Sequence, residues 1–534
     1  MICIGGSTGL DTNLKTGYQM GKFPRVHAIL GHFVIGWEQR QAKELFVTNI
    51  DKDELLKSIP TRLFINGEWR DAADGSTFDV INPATEGKIA TVAAATPEDG
   101  LAALDAASEV QAEWARTPSR KRAQLLMDAF DRVQERKDDF AAVMTMEMGK
   151  PLDQAYGEVT YGAEFLRWFS EGTTRIMGNY YPTPEGNIQV ITHKRPVGPS
   201  LFITPWNFPL AMATRKVAPA LAAGCTTILK PAADTPLTSL LFVKVLEEVG
   251  VPKGVVNIIP TDVTPPVTGA IIQDRRLRKL SFTGSTQVGR ALLREASQNV
   301  LRTSMELGGL APFIVFEDAD VDVAVEAALA TKMRNMGEAC NASSRFYVHS
   351  DVAEEFTKKF SEGMSKMVVG DGMEEGIDVG PIVSARQLQS VEDLVKRSLE
   401  AGARIEVGGQ RLDRPGFFFP PTVLSVDGAD NPLLEEEVFG PVAPVYSFDT
   451  EEEVLALANK SEYGLAGYVY TNDMKRVIRL GEELEVGMIG VNSGTISNAA
   501  APFGGVKASG LGREGGTEGI EEFLETIYIG TPRD

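Results

Sequence analysis

Three residues spread along the chain have side chains suited to covalent chemistry: Asn207, Glu306 and Cys340. Cys340 is one of three cysteines in 534 residues. It sits in Lys332-Met-Arg-Asn-Met-Gly-Glu-Ala-Cys-Asn-Ala-Ser-Ser-Arg345, at a turn after a helical pattern. As a thiolate it is a nucleophile that needs only a modestly lowered pKa. As a thiol it is a small buried hydrophobe, the ordinary state of a free cysteine. The local sequence leaves both readings open. Glu306, in Ser304-Met-Glu-Leu-Gly-Gly309, lies 340 − 306 = 34 residues before the thiol and just before a glycine pair. Asn207, in Thr204-Pro-Trp-Asn-Phe-Pro209, is either a rigid amide donor or a turn asparagine. Histidines 27, 32, 193 and 349 show no metal-ligand spacing in the body of the chain, so no metal is expected.

These residues must be positioned by short apolar strands that alternate with helices, the pattern of an α/β parallel sheet. Ile188–His193 and Ser200–Thr204 read as strands, and the Asn207 turn closes the second. Met212–Gly224 reads as a helix ended by glycine. Cys225–Lys230 reads as a strand that leaves Lys230 at its carboxyl end, where open α/β sheets take ligands. Leu277–Gly289 gives strand, glycine turn and helix start, a phosphate-suited arrangement that lacks the Gly-x-Gly-x-x-Gly fingerprint. A second α/β pattern runs from Phe313 to Thr495, with strands at Pro312–Phe316 and Arg345–Val348 and an acidic turn at Glu435–Pro441. Upstream, Asn66-Gly67 signals a tight hairpin, and Thr96-Pro-Glu-Asp99 opens a capped helix. One long helix is expected from Ser119 to the stop at Gly149-Lys-Pro151, and another from Asp153 to about Phe169. Phe523–Ile529 alternates like an edge strand and is a candidate pairing surface.

The chain is too long for one core, so two or three domains are expected. Acidic residues exceed basic ones by 73 − 53 = 20, which argues against nucleic acid or an anionic membrane as partner. Cysteines at 3, 225 and 340 make no disulfide framework, and a reducing, cytoplasmic setting fits. Residues 1–46 read differently: Lys15, Lys22 and Arg25 precede an apolar run, Val26–Trp37. That run is shorter than the roughly 20 residues a membrane span needs, and no small-x-small cleavage site follows. We expect a disordered extension, or sequence upstream of a true start near Val47.

Asn207, Lys230, Thr283-Gly-Ser285, Glu306-Leu-Gly-Gly, Cys340, Glu437-x-Phe439 and Pro502-Phe-Gly-Gly, in this order, resemble the aldehyde dehydrogenase superfamily over about residues 60 to 530. The resemblance implies that Cys340 attacks the aldehyde carbon, with the Asn207 amide and the Cys340 backbone N–H facing the oxyanion. Glu306 would then activate the deacylating water. It implies dinucleotide contacts from Thr204, Pro205, Trp206, Lys230, Ala233, Gly284, Ser285, Leu307, Glu437 and Phe439. In this picture Lys230 takes the adenosine ribose, Ser285 the pyrophosphate, Glu437 the nicotinamide ribose, and Phe439 packs by the ring. The family's NAD-preferring members carry a glutamate three residues after the lysine. Here Ala233 stands there, which leaves room for a 2′-phosphate, so NADP is expected to be accepted and preferred over NAD.

Arg215, Arg334 and Ser497 resemble the carboxylate-binding trio of the family's succinate-semialdehyde members, since guanidinium groups fork onto carboxylates. The alternative is that both arginines pair with acids on their own helices. The implied reaction is oxidation of succinate semialdehyde to succinate, as in 4-aminobutyrate breakdown; glutarate semialdehyde is one methylene longer. A coenzyme A-acylating enzyme is disfavoured by Glu306, and a non-catalytic protein on the same fold by Cys340 and Glu306 together. Three departures stand out: Glu338 where glutamine is common, Leu310 where a polar residue is usual, and Ala342 where some members have a second, redox-active cysteine. The expected architecture is a Rossmann-type cofactor domain (47–178 and 197–308), a catalytic domain (309–508) and a small β oligomerisation arm (179–196 and 509–534). By resemblance the assembly is a homodimer or homotetramer.

Overall fold

A computed structural model describes residues 50–533, so the expectations for residues 1–46 and for Val47 lie outside the described residues. The first sheet has eight strands. Its parallel centre runs in spatial order Arg302–Glu306, Lys279–Thr283, Ser200–Ile203, Thr227–Lys230, Val256–Ile258. Four of these five strands are buried at every position, which is why the sequence shows continuous apolar runs instead of alternation. Chain order reverses direction between Ser200–Ile203 and Lys279–Thr283, making a topological switch point. The hairpin Leu63–Ile65/Glu68–Arg70 extends one edge, and Gly510–Leu511, from near the end of the chain, the other.

The second sheet has seven strands in the order Arg404–Val407, Thr422–Ser425, Val442–Phe448, Ser343–His349, Ala311–Val315, Ala466–Tyr470, Met488–Val491, parallel except at the first pair. A third, antiparallel sheet joins Leu524–Pro532, Ile188–Pro196 and Tyr180–Pro182.

Local signals translate directly where the chemistry is local. Asn66 (φ 54°) and Gly67 (φ 78°) are both left-handed, as a type I′ hairpin requires. Thr96 and Asp99 form a reciprocal capping box ahead of helix Pro97–Arg116.

Two expectations are corrected. The helix from Ser119 is two helices, Ser119–Glu135 and Lys137–Met148, separated at Arg136 (φ −102°, ψ 23°). The first buries one stripe, whereas Phe140–Met148 is buried all round, and the break lets the chain change faces. The strand expected from Cys225 starts at Thr227. Gly224 (φ 95°) closes the preceding helix, and the Cys225 N–H donates back to the Ala220 carbonyl (2.8 Å), so Cys225 still belongs to the helix end.

Candidate active site

The switch point places two turns side by side. After Ser200–Ile203 come Thr204, Pro205, Trp206 and Asn207; after Lys279–Thr283 come Gly284 and Ser285. Ser285 caps helix Thr286–Ser297, its hydroxyl accepting the Val288 N–H (3.5 Å), and a helix N-terminus suits an anion. Lys230 ends the neighbouring strand, and burial pushes its ammonium down to about 8. The hydroxyls of Thr204 and Thr283 are buried without a hydrogen-bond partner among the described residues. Such a set fits a phosphate- and ribose-bearing ligand. Ala233 is half-buried, as is Asp234 one position on. The carboxylate missing three residues after Lys230 therefore has a near substitute, and Asp234 and Asp262 both favour the charged form of Lys230.

Cys340 follows helix Val321–Met333 and a tight 3₁₀ turn, Arg334–Gly337. Asn335 (φ 54°), Met336 (φ 55°) and Gly337 (φ 77°) are consecutive left-handed residues, strained for the first two and held by their surroundings. The Asn335 amide donates to the carbonyls of Asn207 (3.1 Å) and Glu338 (2.9 Å). The Asn207 amide also donates to the Glu338 carbonyl (3.0 Å). One of the two Asn207 amide hydrogens is thus fixed, which aims the other. Lys150 donates to the Asn207 carbonyl (2.8 Å) and is ion-paired with Glu158, which accepts the Leu210 (3.0 Å) and Ala211 (3.2 Å) N–H groups.

Other segments reach the same loop. A Cβ at Gly309 would lie 2.3 Å from the Cys340 carbonyl, so only glycine lets the Glu306 turn approach this closely. Glu437 accepts the Gly309 N–H (3.0 Å), and burial pushes its carboxyl up to about 7. Leu307 donates its N–H to the Ser509 carbonyl (2.9 Å). Phe439 meets Trp206 edge-on at 5.4 Å. Ser497 accepts from the Asn341 side chain (3.0 Å). Glu338 is fully buried and accepts the Val383 N–H (3.3 Å), and burial raises its pKa well above the ordinary carboxylate value.

Glu306 ends strand Arg302–Glu306, buried, with neither carboxylate oxygen hydrogen-bonded among the described residues. Burial first, then the charge of Glu514, raises its pKa well above the ordinary value. Burial likewise pushes the half-buried Cys340 thiol up to about 12, against the pull of Arg215 and Arg334. The two arginines part company. Arg215 is buried in an ion pair with Glu514, which also holds Lys216, and lies over the Phe503 ring at 4.3 Å. Its acid comes from the C-terminal segment and not from its own helix. Arg334 has no carboxylate partner among the described residues; it lies over the rings of Phe208 (5.0 Å) and Tyr161 (5.7 Å).

Lys150, Glu158, Lys216, Asn335 and Glu514 were not singled out by sequence reading. One signal was available for Lys216. Helix Ala211–Ala223 is buried at all 13 positions, so any cation within it needs a partner from elsewhere in the chain. Among the described residues no cluster could hold a metal ion.

The Thr204–Asn207 turn of the switch point is thus hydrogen-bonded to the loop that carries Cys340, and the turn after Glu306 packs on the same loop. A model of the aldehyde dehydrogenase family matches residues 69–529, and the chain belongs to that family. A succinate-semialdehyde dehydrogenase of Paenarthrobacter nicotinovorans is 56% identical, over 83% of this chain and 98% of its own. The NADP(+) succinate-semialdehyde dehydrogenase GabD of Escherichia coli K12 is 45% identical, over 87% and 96%. A glutarate-semialdehyde dehydrogenase of Pseudomonas aeruginosa is also 45% identical over the same shares. The crystal structure of an E. coli NADP-dependent enzyme superposes with a TM-score of 0.88 at 44% identity, covering 91% of this chain and all of that one.

Proposed function

We propose that the chain oxidises succinate semialdehyde to succinate with NADP or NAD as acceptor. The observation that carries the substrate class is Arg334, a cation six residues before Cys340 that no carboxylate of the described residues neutralises. The names of the two succinate-semialdehyde relatives support the same reading. Cys340 releases its proton to solvent and attacks the aldehyde carbon as thiolate; Arg215 and Arg334 favour the thiolate against burial. The oxyanion is met by the free Asn207 amide hydrogen and the Cys340 N–H. A bound dinucleotide would supply the hydride acceptor for this carbon. Lys230, the turn Gly284-Ser285, Thr204 and Glu437 would hold it, with Trp206 and Phe439 beside its ring. Glu306 then takes a proton from water, which hydrolyses the thioester and frees the thiol. Arg334 and Ser497 take the substrate carboxylate, and Arg215 adds its field from behind the Glu514 pair.

A second reading, glutarate semialdehyde, is favoured by the P. aeruginosa relative, and one methylene shifts specificity by only about 1–3 kcal/mol. The proposal includes a homodimeric or homotetrameric assembly in the cytoplasm; among the described residues no helix is long and apolar enough to cross a membrane. Initial rates of NADPH and NADH formation on succinate semialdehyde, glutarate semialdehyde and butanal, for wild type and Arg334→Ala, test it. We expect the charged substrates to lead and Arg334→Ala to cost them at least about tenfold more than butanal. Equal use of butanal by the wild type would sink the carboxylate reading.

A further inference from the structure

A cavity of about 180 Å³ opens between helix Leu152–Thr173 and the loop before Cys340, lined by Gln154, Gly157 and Glu158 on one side and Phe208, Arg334 and Asn335 on the other. Gln154, Gly157 and Glu158 stand at i, i+3 and i+4, on one helix face. Two of them have structural work: Gln154 accepts the Asn335 N–H, and Glu158 holds Lys150. Gly157 has none. A Cβ there would meet nothing within 4 Å. On the same helix the Cβ of Gly162 would press on the Ala211 backbone at 3.2 Å, and Gly172, equally open, stands in the last turn and off the cavity lining. Glycine is the poorest helix-interior residue after proline, so a mid-helix glycine without a packing reason points to the space it leaves. That space is the exposed rim of a cavity whose charges are Arg334 and Lys150 against Glu158 alone.

We propose that Gly157 is a specificity-determining residue: its missing side chain keeps the mouth of an anion-accepting cavity open. The ligand class is an unbranched aldehyde with a terminal anion, taken at five carbons as well as four. This rests on the reading of Arg334 as the carboxylate-binding cation. The test measures kcat/KM for succinate semialdehyde, glutarate semialdehyde and butanal on wild type, Gly157→Ala and Gly157→Leu. Both replacements are better helix formers at an exposed position, so thermal midpoints at or above wild type certify folding. We expect Gly157→Leu to lower the five-carbon to four-carbon ratio by about tenfold or more, with butanal unchanged and Gly157→Ala in between. An unchanged ratio, an equal fall on all three substrates, or a wild type that ignores the five-carbon substrate overturns the role of Gly157. A wild type that prefers butanal overturns the carboxylate reading itself, so the two failures are distinguishable.

Discussion

Glu306 and Glu514 are both buried beside Arg215 and Lys216, yet they titrate in opposite directions. Glu514 touches both cations, and their charges hold it below the usual carboxylate range. Glu306 touches neither and is raised by burial and by the charge of Glu514. A base that must be ionised to act, with a raised pKa, gives a rate that climbs with pH. Replacing Glu514 by glutamine removes a negative neighbour and unmasks two positive ones; both changes favour ionised Glu306. The alkaline-rising limb of kcat should therefore move to lower pH in Glu514→Gln, as a full pH–rate profile would reveal. A limb that stays put or moves up would mean Glu306 is not the titrating base. Cys340, Glu306 and Asn207 could be picked out only through the ordered set of motifs that resembles the family, because the local sequence around Cys340 and Asn207 left a structural reading open. The Arg215–Glu514 pairing was not legible, because charge type says nothing about a partner 514 − 215 = 299 residues away.

Among elements, the start of helix Ala211–Ala223 depends on a carboxylate supplied by another helix. Glu158 takes its first N–H groups while Lys150 neutralises Glu158 and grips the Asn207 carbonyl. Lys150→Met should destabilise the protein by about 3–5 kcal/mol in urea unfolding, since it strands a buried charge. The double change Lys150→Met with Glu158→Leu should recover part of that loss, and if it recovers none the pair is not the source. Capped helix starts and the Asn66-Gly67 hairpin were readable because the residues that make them are neighbours in sequence. The break at Arg136 was not, because it answers to what each half of the pattern packs against.

At the level of the whole molecule, Leu524–Pro532 is an edge strand, paired among the described residues only with Ile188–Pro196. It carries Tyr528 and Ile529 at 59% and 47% exposure, a combination that invites another chain. Sedimentation should find the wild type as a dimer or tetramer, and Tyr528→Glu with Ile529→Glu should lower the mass; a monomeric wild type would refute the arm as an assembly surface.

The same C-terminal region has a consequence for how the chain is made. Gly510–Leu511 completes the first sheet, and Glu514 neutralises cations laid down at Arg215 and Lys216. Domains generally form as they leave the ribosome, amino end first. Here the first sheet must wait for its last edge strand, and Arg215 and Lys216 for their carboxylate, until nearly all the message has been read. A polypeptide cut short before Gly510 would contain Cys340, Glu306 and Asn207, yet would lack both the strand that pairs with Met305 and Glu306 and the carboxylate shared by Arg215 and Lys216.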